Sequence, residues 1–247
     1  MATGINYYND RVCLNVLAGS LDNAREIYAA AEKHVEVGVL TADYPDVSSA
    51  IEDMEKYMDV LEGNLSVGLG GGNPNQWRAV AEVAKKIKAH HFNQAFCAVG
   101  WTRANVGNDD CHINAMISPS GTPGLVRVST GPLSRECSEP ADIPVATAIA
   151  MIKEMGGNSI KFFPMGGLKC ADELRVVAQA CAEADFCLEP TGGITPENFR
   201  EIIQIILDAG VPKIIPHVYS SIIDKETGCT KIDEVENLMV IVRELVG

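Results

Sequence analysis

Short apolar runs closed by glycine or polar residues alternate along this chain with stretches whose apolar positions recur at helical spacing. R-V-C-L-N-V-L-A-G (11–19) reads as a strand closed by Gly19. Ser20 then stands where a helix cap belongs, and Leu21, Ala24, Ile27, Tyr28 and Ala31 follow on one helical face. V-E-V-G-V-L (35–40) predicts a second strand, and Pro45 to Tyr57 a second helix with Val47, Ala50, Ile51, Met54 and Tyr57 on one side. L-S-V-G-L-G-G-G (65–72) predicts a third strand ending in glycines, followed by a helix over 75–90 with Pro74 at its start. N-Q-A-F-C-A-V-G (93–100) predicts a fourth strand.

From Trp101 to Pro144 the rhythm loosens into turn signals (N-V-G-N-D-D, T-G-P-L-S, C-S-E-P-A-D-I-P). Within this stretch, I-N-A-M-I-S and L-V-R-V-S read as a hairpin pair or as two short strands about S-P-S-G-T-P-G. The alternation then resumes: helix at 145–156, strand S-I-K-F-F-P, helix at 171–184, strand F-C-L-E-P-T-G-G, helix at 196–210, strand K-I-I-P-H-V-Y-S and a terminal helix. Strands alternating with helices require a parallel sheet covered by helices. Seven or eight such units in 247 residues, with several strands ending in polar or glycine-rich loops, predict a closed (β/α)8 TIM barrel of the α/β class in preference to an open doubly wound sheet, as a single domain spanning 1–247 with an elaboration around 101–144.

Composition narrows the function. The apolar share of 47% supports a packed core, and a net charge of −13 disfavours nucleic acid and anionic membrane as partners. The start M-A-T-G-I-N-Y-Y-N-D-R-V lacks signal architecture and no run of apolar residues is long enough to span a bilayer, so a soluble, cytoplasmic protein is expected. The eight cysteines are scattered without a C-x-x-C pair and are expected to be reduced. His34, His90, His91 and His112 show no metal-ligand spacing, so no metal and no cofactor are expected.

The chemistry concentrates in two strands. In S-I-K-F-F-P-M-G-G (159–167), alternation puts Lys161 and Phe163 on the face opposite Ile160 and Phe162, which aims Lys161 into the barrel. An apolar cage lowers an ammonium pKa and frees the lone pair that a Schiff base requires; the alternative is a salt-bridged lysine at a strand end. In F-C-L-E-P-T-G-G-I (186–194), Glu189 and Thr191 share a face. Gly192 and Gly193 precede the helix start Thr195-Pro196-Glu197, an arrangement suited to an anion. The glycine run through Gly71 lacks the dinucleotide spacing and reads as close backbone approach to a small substrate, as do Gly166 and Gly167.

I-K-F-F-P (160–164), followed by E-P-T-G-G-I (189–194), resembles the class I aldolases of 2-keto-3-deoxy-6-phosphogluconate (KDPG) and 4-hydroxy-2-oxoglutarate. The whole chain, with its longer middle, is similar to the divergent KDGP aldolase branch linked to hexosaminate-type sugar-acid breakdown. The resemblance implies a metal-free (β/α)8 enzyme, often trimeric and hence a homo-oligomer. Its substrate would be a small phosphorylated 2-keto acid, cleaved to pyruvate and glyceraldehyde 3-phosphate. By the same resemblance Lys161 is the Schiff-base residue, Phe163 borders the pyruvate, Thr191, Gly192 and Gly193 touch substrate, and Glu36 in V-E-V-G-V-L-T is the general acid/base.

The family usually places an arginine where this chain has Leu40 and a threonine where it has Gly71. Arg103 and Arg127 stand as replacement carboxylate partners. P-H-V-Y-S-S (216–221) replaces the glycine-serine segment of the phosphate pocket, which offers His217, Tyr219 and Ser220 as donors, and Glu189 is a second acid/base candidate. The alternatives are a 4-hydroxy-2-oxoglutarate aldolase, a phosphosugar isomerase or epimerase shuttling protons between Glu36 and Glu189, and a silent sugar-phosphate binder.

Overall fold

Parallel pairing runs in one direction through most of the molecule in the computed structural model, which describes residues 4–107 and 110–247. Strands β1 (Leu14–Leu17), β2 (Val35–Leu40), β3 (Leu65–Gly68), β4 (His91–Ala95) and β5 (His112–Pro119) pair in chain order. After them β5 pairs with β8 (Ser159–Phe162), and β8 with β9 (Cys187–Pro190). The eighth barrel position is filled by residues 214–218, tied to its neighbours through single bridges: Leu188 to Ile214 and Thr191 to His217 on one side, Val12 to Ile214 and Asn15 to His217 on the other. Backbone bonds from Ile215 N to Leu188 O and from Val218 N to Asn15 O close the ring. The barrel is a (β/α)8 fold.

Helices α1 (Leu21–Ala30), α2 (Val47–Val60), α3 (Trp77–Val83), α4 (Val99–Val106), α5 (Val145–Glu154), α6 (Ala171–Glu183), α7 (Pro196–Asp208) and α8 (Ile232–Val246) cover the outside. Each buries a stripe, such as Phe199, Ile202, Ile203 and Ile206 of α7, against the outward faces of the strands. A small apolar plug of Ile5, Cys13, Cys187 and Ile215 closes the amino-terminal floor. Among the described residues no helix is long and apolar enough to cross a membrane, and all eight cysteines are unpaired thiols.

Two expectations are corrected. The fourth strand ends at Ala95, and the stretch assigned to its second half is helical: Val99, Thr102 and Val106 are buried at helical spacing, Thr102 bonds the Ala98 carbonyl, and Gly107 at φ +68° ends the helix. The strand-forming apolar residues 96–99 hid this turn of periodicity. The helix expected over 75–90 stops at Val83, and Lys88 donates to the carbonyls of Ala84, Asn105 and Val106. The βα rhythm therefore runs to residue 106, and the elaboration is later than expected. It is an antiparallel ribbon in which the end of β5 pairs with β6 (Leu125–Arg127) and β6 with β7 (Asp142–Pro144). Asn108 and Asp109 of the expected loop lie outside the described residues.

Candidate active site

Carrying the pairing register round the staggered barrel sorts the interior side chains into levels supplied by alternate strands. Asn15, Ser66, Asn114 and Glu189 form a middle level. Gly38, Asn93, Lys161 and His217 form the next one toward the carboxyl-terminal mouth, and Glu36, His91, Ser159 and Ile215 the one below. Barrel interiors are ordinarily filled by branched apolar residues. A polar interior is expensive unless every group is paired.

Most of these groups are paired around one carboxylate. Glu189 is fully buried and accepts from Asn114 Nδ2 at 2.6 Å, His217 Nε2 at 2.7 Å, and His91 and His112 Nε2 at 3.1 Å each, with Ser159 Oγ also donating. Burial alone would raise this carboxyl, but the three imidazoles hold it well below the usual carboxylate range. A carboxylate only accepts, so each facing Nε2 carries the proton. His91 Nδ1 is thereby left to accept from Ser66 Oγ at 2.8 Å, and Ser66 in turn accepts from Asn15 and Asn93. His91, His112 and Glu189 also bring ligand-type atoms within 4.8 Å of one another. This cluster of metal-ligating groups was not foreseen from histidine spacing, and every one of its facing atoms is already engaged in the hydrogen-bond network.

Lys161 sits directly above. Its Nζ donates to Asn93 Oδ1 at 2.7 Å and lies 3.2 Å from His217 Nδ1. Burial lowers its pKa to about 8, against the opposing pull of Glu189. Because His217 Nε2 donates to Glu189, its Nδ1 is bare and faces both the Lys161 amine and the Tyr219 hydroxyl, 2.7 Å away; the single Tyr219 proton is shared between this nitrogen and Asn15 Oδ1, 2.8 Å from the same oxygen. Burial and the neighbouring Lys161 push the His217 pKa down to about 3, so the ring is neutral. Lys161, Tyr219, Asn93, Thr191, Phe163 and Gly71 line a narrow chamber of about 50 Å³, room for one or two waters. A buried amine, a bare imidazole nitrogen and a phenol converging on one small chamber can perform nucleophilic addition to a carbonyl with proton transfer alongside.

The other expected site residues divide. Glu36 is interior but lies two levels below Lys161. Neither of its oxygens has a hydrogen-bond partner among the described residues, His90 Nδ1 is 3.9 Å away, and burial at the barrel floor pushes its carboxyl well above the usual range, which favours the neutral acid. It is not at the chamber. Arg103 belongs to α4 and bonds the carbonyls of Gly156 and Cys111 and Oδ1 of Asn158, at the amino-terminal end of β5 and β8, far from the mouth where a substrate carboxylate would lie. Ser220 is exposed, and the neighbouring Ser221 makes the bond to Ile194 O.

Gly166, Gly167, Gly192 and Gly193 join two loops at close range. Gly167 N donates to Gly192 O, and a Cβ on Gly193 would stand 2.5 Å from Gly167 N. The start of α7 is closed by its own Thr195–Asn198 capping box. With Gly193 at φ +72°, Gly193→Ala is expected to cost about 1–3 kcal/mol for backbone strain before the clash is counted, read as a lower denaturation midpoint.

Residues 8–226 match the KDGP aldolase family. The chain belongs to the KDGP aldolase family. This family member is 44% identical over 246 residues to a 2-dehydro-3-deoxy-phosphogluconate aldolase of Salmonella typhimurium, covering 98% of this chain and 99% of the relative. Among solved structures it is similar to a mutant (D110A) tryptophan synthase alpha-subunit from Pyrococcus furiosus (TM-score 0.55, 14% identity, 98% of this chain and 100% of that one). It is also similar to the carboxyl transferase domain of Rhizobium etli pyruvate carboxylase (TM-score 0.54, 12% identity). There it covers 96% of this chain and spans about half, 48%, of the other. At such identities these two likenesses concern the fold.

Asn15, Asn93, Asn114, His91, His112, Ser66 and Ser159 were not singled out as site residues by sequence reasoning, and Tyr219, expected as a donor to phosphate, lines the Lys161 chamber instead. A signal was there. H-F-N (91–93), H-I-N (112–114) and S-I-K (159–161) repeat a polar-apolar-polar pattern, and L-N-V and L-S-V each carry one polar residue between apolar neighbours.

Proposed function

We propose that this chain is a Schiff-base aldolase that cleaves 2-dehydro-3-deoxy-6-phosphogluconate to pyruvate and glyceraldehyde 3-phosphate. The observation that carries this is the buried Lys161 amine, its pKa lowered to about 8, at the base of the chamber. The name of the Salmonella relative supports the choice of substrate.

The neutral amine adds to the C2 carbonyl, and loss of water gives an iminium. A base then takes the C4 hydroxyl proton, the C3–C4 bond breaks, and its electron pair moves into the iminium to give a neutral enamine and the aldehyde. Tyr219 accepts that proton as its own passes to His217 Nδ1, and Glu189 holds the resulting imidazolium through Nε2. Positive charge at Lys161 is one of the causes that depress His217. Collapse of the iminium removes that charge, so the imidazole gains basicity as the proton arrives. Protonation of the enamine at C3 and hydrolysis release pyruvate and restore the amine.

This relay takes the part expected for Glu36. Tyr219→Phe is expected to lower kcat for cleavage by about 10²–10³-fold while KM changes far less; equal losses in both would contradict the relay. For the function itself, the full chain mixed with 2-dehydro-3-deoxy-6-phosphogluconate should release one pyruvate per aldehyde. Uptake of solvent deuterium into substrate without pyruvate would point instead to an isomerase.

A further inference from the structure

Outward from the Lys161 chamber the barrel mouth widens into a cavity of about 690 Å³, and the two share Phe163, Met116, Gly71 and Gly72 as their common wall. The far side is built by the antiparallel ribbon and the loop that joins β6 to β7, the part of the chain that departs from the βα repeat. In a chain of net charge −13, the lining of this cavity carries two guanidinium groups, Arg127 and Arg135, and no carboxylate. Ser118 and Ser138 add hydroxyls to the same lining. Asp142 grips Arg127 through Nε at 2.8 Å and Nη2 at 3.0 Å, which fixes the fork on the ribbon and leaves the Nη1 edge for a ligand. Arg135 stands more than half exposed, beside Glu136.

Resting on the reading of Lys161 as the Schiff-base residue, we infer that this cavity is the subsite for a phosphate monoester at the far end of the 2-keto acid, held by Arg127 and Arg135. The substrate's own dimensions support this. Its carboxylate is bonded to the reacting carbonyl carbon and must stay in the small chamber, whereas four carbons and an ester oxygen separate that carbonyl from phosphorus. The phosphate must therefore pass Phe163 and Met116 into the larger space. Two guanidinium groups with hydroxyls beside them suit a dianion with three free oxygens, and an arginine already locked by a carboxylate loses little freedom on binding. The packed glycines 192 and 193 are not needed for that role.

The test compares the full chain with Arg135→Ala, a change at an exposed position, and with Arg127→Lys, which keeps the charge but loses the fork. The substrates are 2-dehydro-3-deoxy-6-phosphogluconate, its unphosphorylated counterpart and 4-hydroxy-2-oxoglutarate. For each variant, the ratio of kcat/KM for the phosphorylated over the unphosphorylated substrate is expected to fall tenfold or more, chiefly through KM. Titration of inorganic phosphate should show binding to the unmodified chain that Arg135→Ala weakens tenfold or more. That measurement reads the subsite even if no aldol cleavage is found, so the two readings fail separately. Unchanged ratios together with unchanged phosphate affinity would overturn the assignment. So would a loss confined to the carboxylate-ended 4-hydroxy-2-oxoglutarate.

Discussion

Lys161→Ala is expected to abolish aldol cleavage, with kcat falling by about 10⁵-fold or more, as follows when a covalent nucleophile is removed from an otherwise intact site. The expectation follows from position. The chamber over Lys161 is also lined by a phenol, an amide and a hydroxyl, and none of these forms an iminium with a ketone. The substitution leaves the barrel standing, because the amine contributes two polar contacts, to Asn93 and His217, while the Glu189 network beneath is made by other strands. A folded variant with undiminished cleavage would refute the role of Lys161; circular dichroism and a progress curve on the same sample decide it.

Glu189→Gln is expected to damage both stability and the pH profile. An amide replaces two accepting oxygens with one, so its NH2 faces N–H or O–H donors from among His91, His112, His217, Ser159 and Asn114. Each buried donor left unpaired costs about 1–3 kcal/mol, and a loss of about 3 kcal/mol or more in unfolding free energy is expected. The sign of the pH effect also follows from the charges. Below a pKa of about 8 Lys161 is an ammonium without a lone pair, so imine formation climbs as pH rises through about 8 and levels above it. The Glu189 carboxylate favours the ammonium, and its removal moves that climb to lower pH. A purely structural Glu189 would lower the denaturation midpoint and leave the pH midpoint where it was.

Much of this was legible in the residues, and the reasons for the rest are physical. β2 falls at 35–40 as expected, because a valine-rich stretch between His34 and Thr41, with Glu36 its one polar residue, has one good reading. Alternation around Lys161 and Glu189 put both side chains inside the barrel, since the period of two is local. The height of a side chain inside the barrel is not local. It depends on the accumulated stagger of all eight strands, and for this reason Glu36, the acid/base that the resemblance implies, stands at the floor, two levels below Lys161, instead of beside it. The same accumulation brings His91, His112 and His217 onto one carboxylate from three strands distant in sequence. Arg103 was misplaced for a simpler reason: the apolar run at 96–99 concealed a helix, and the side chain left the mouth along with the strand that was expected to carry it.

The central claim is that Lys161 forms an imine with a 2-keto acid. Incubation with pyruvate and borohydride, followed by mass spectrometry of the proteolysed chain, tests it most directly. The account predicts a reduced pyruvate adduct on the peptide containing Lys161 and none on the Lys161→Ala chain. An adduct on another lysine, or no adduct at all under conditions where the chain cleaves its substrate, would contradict it.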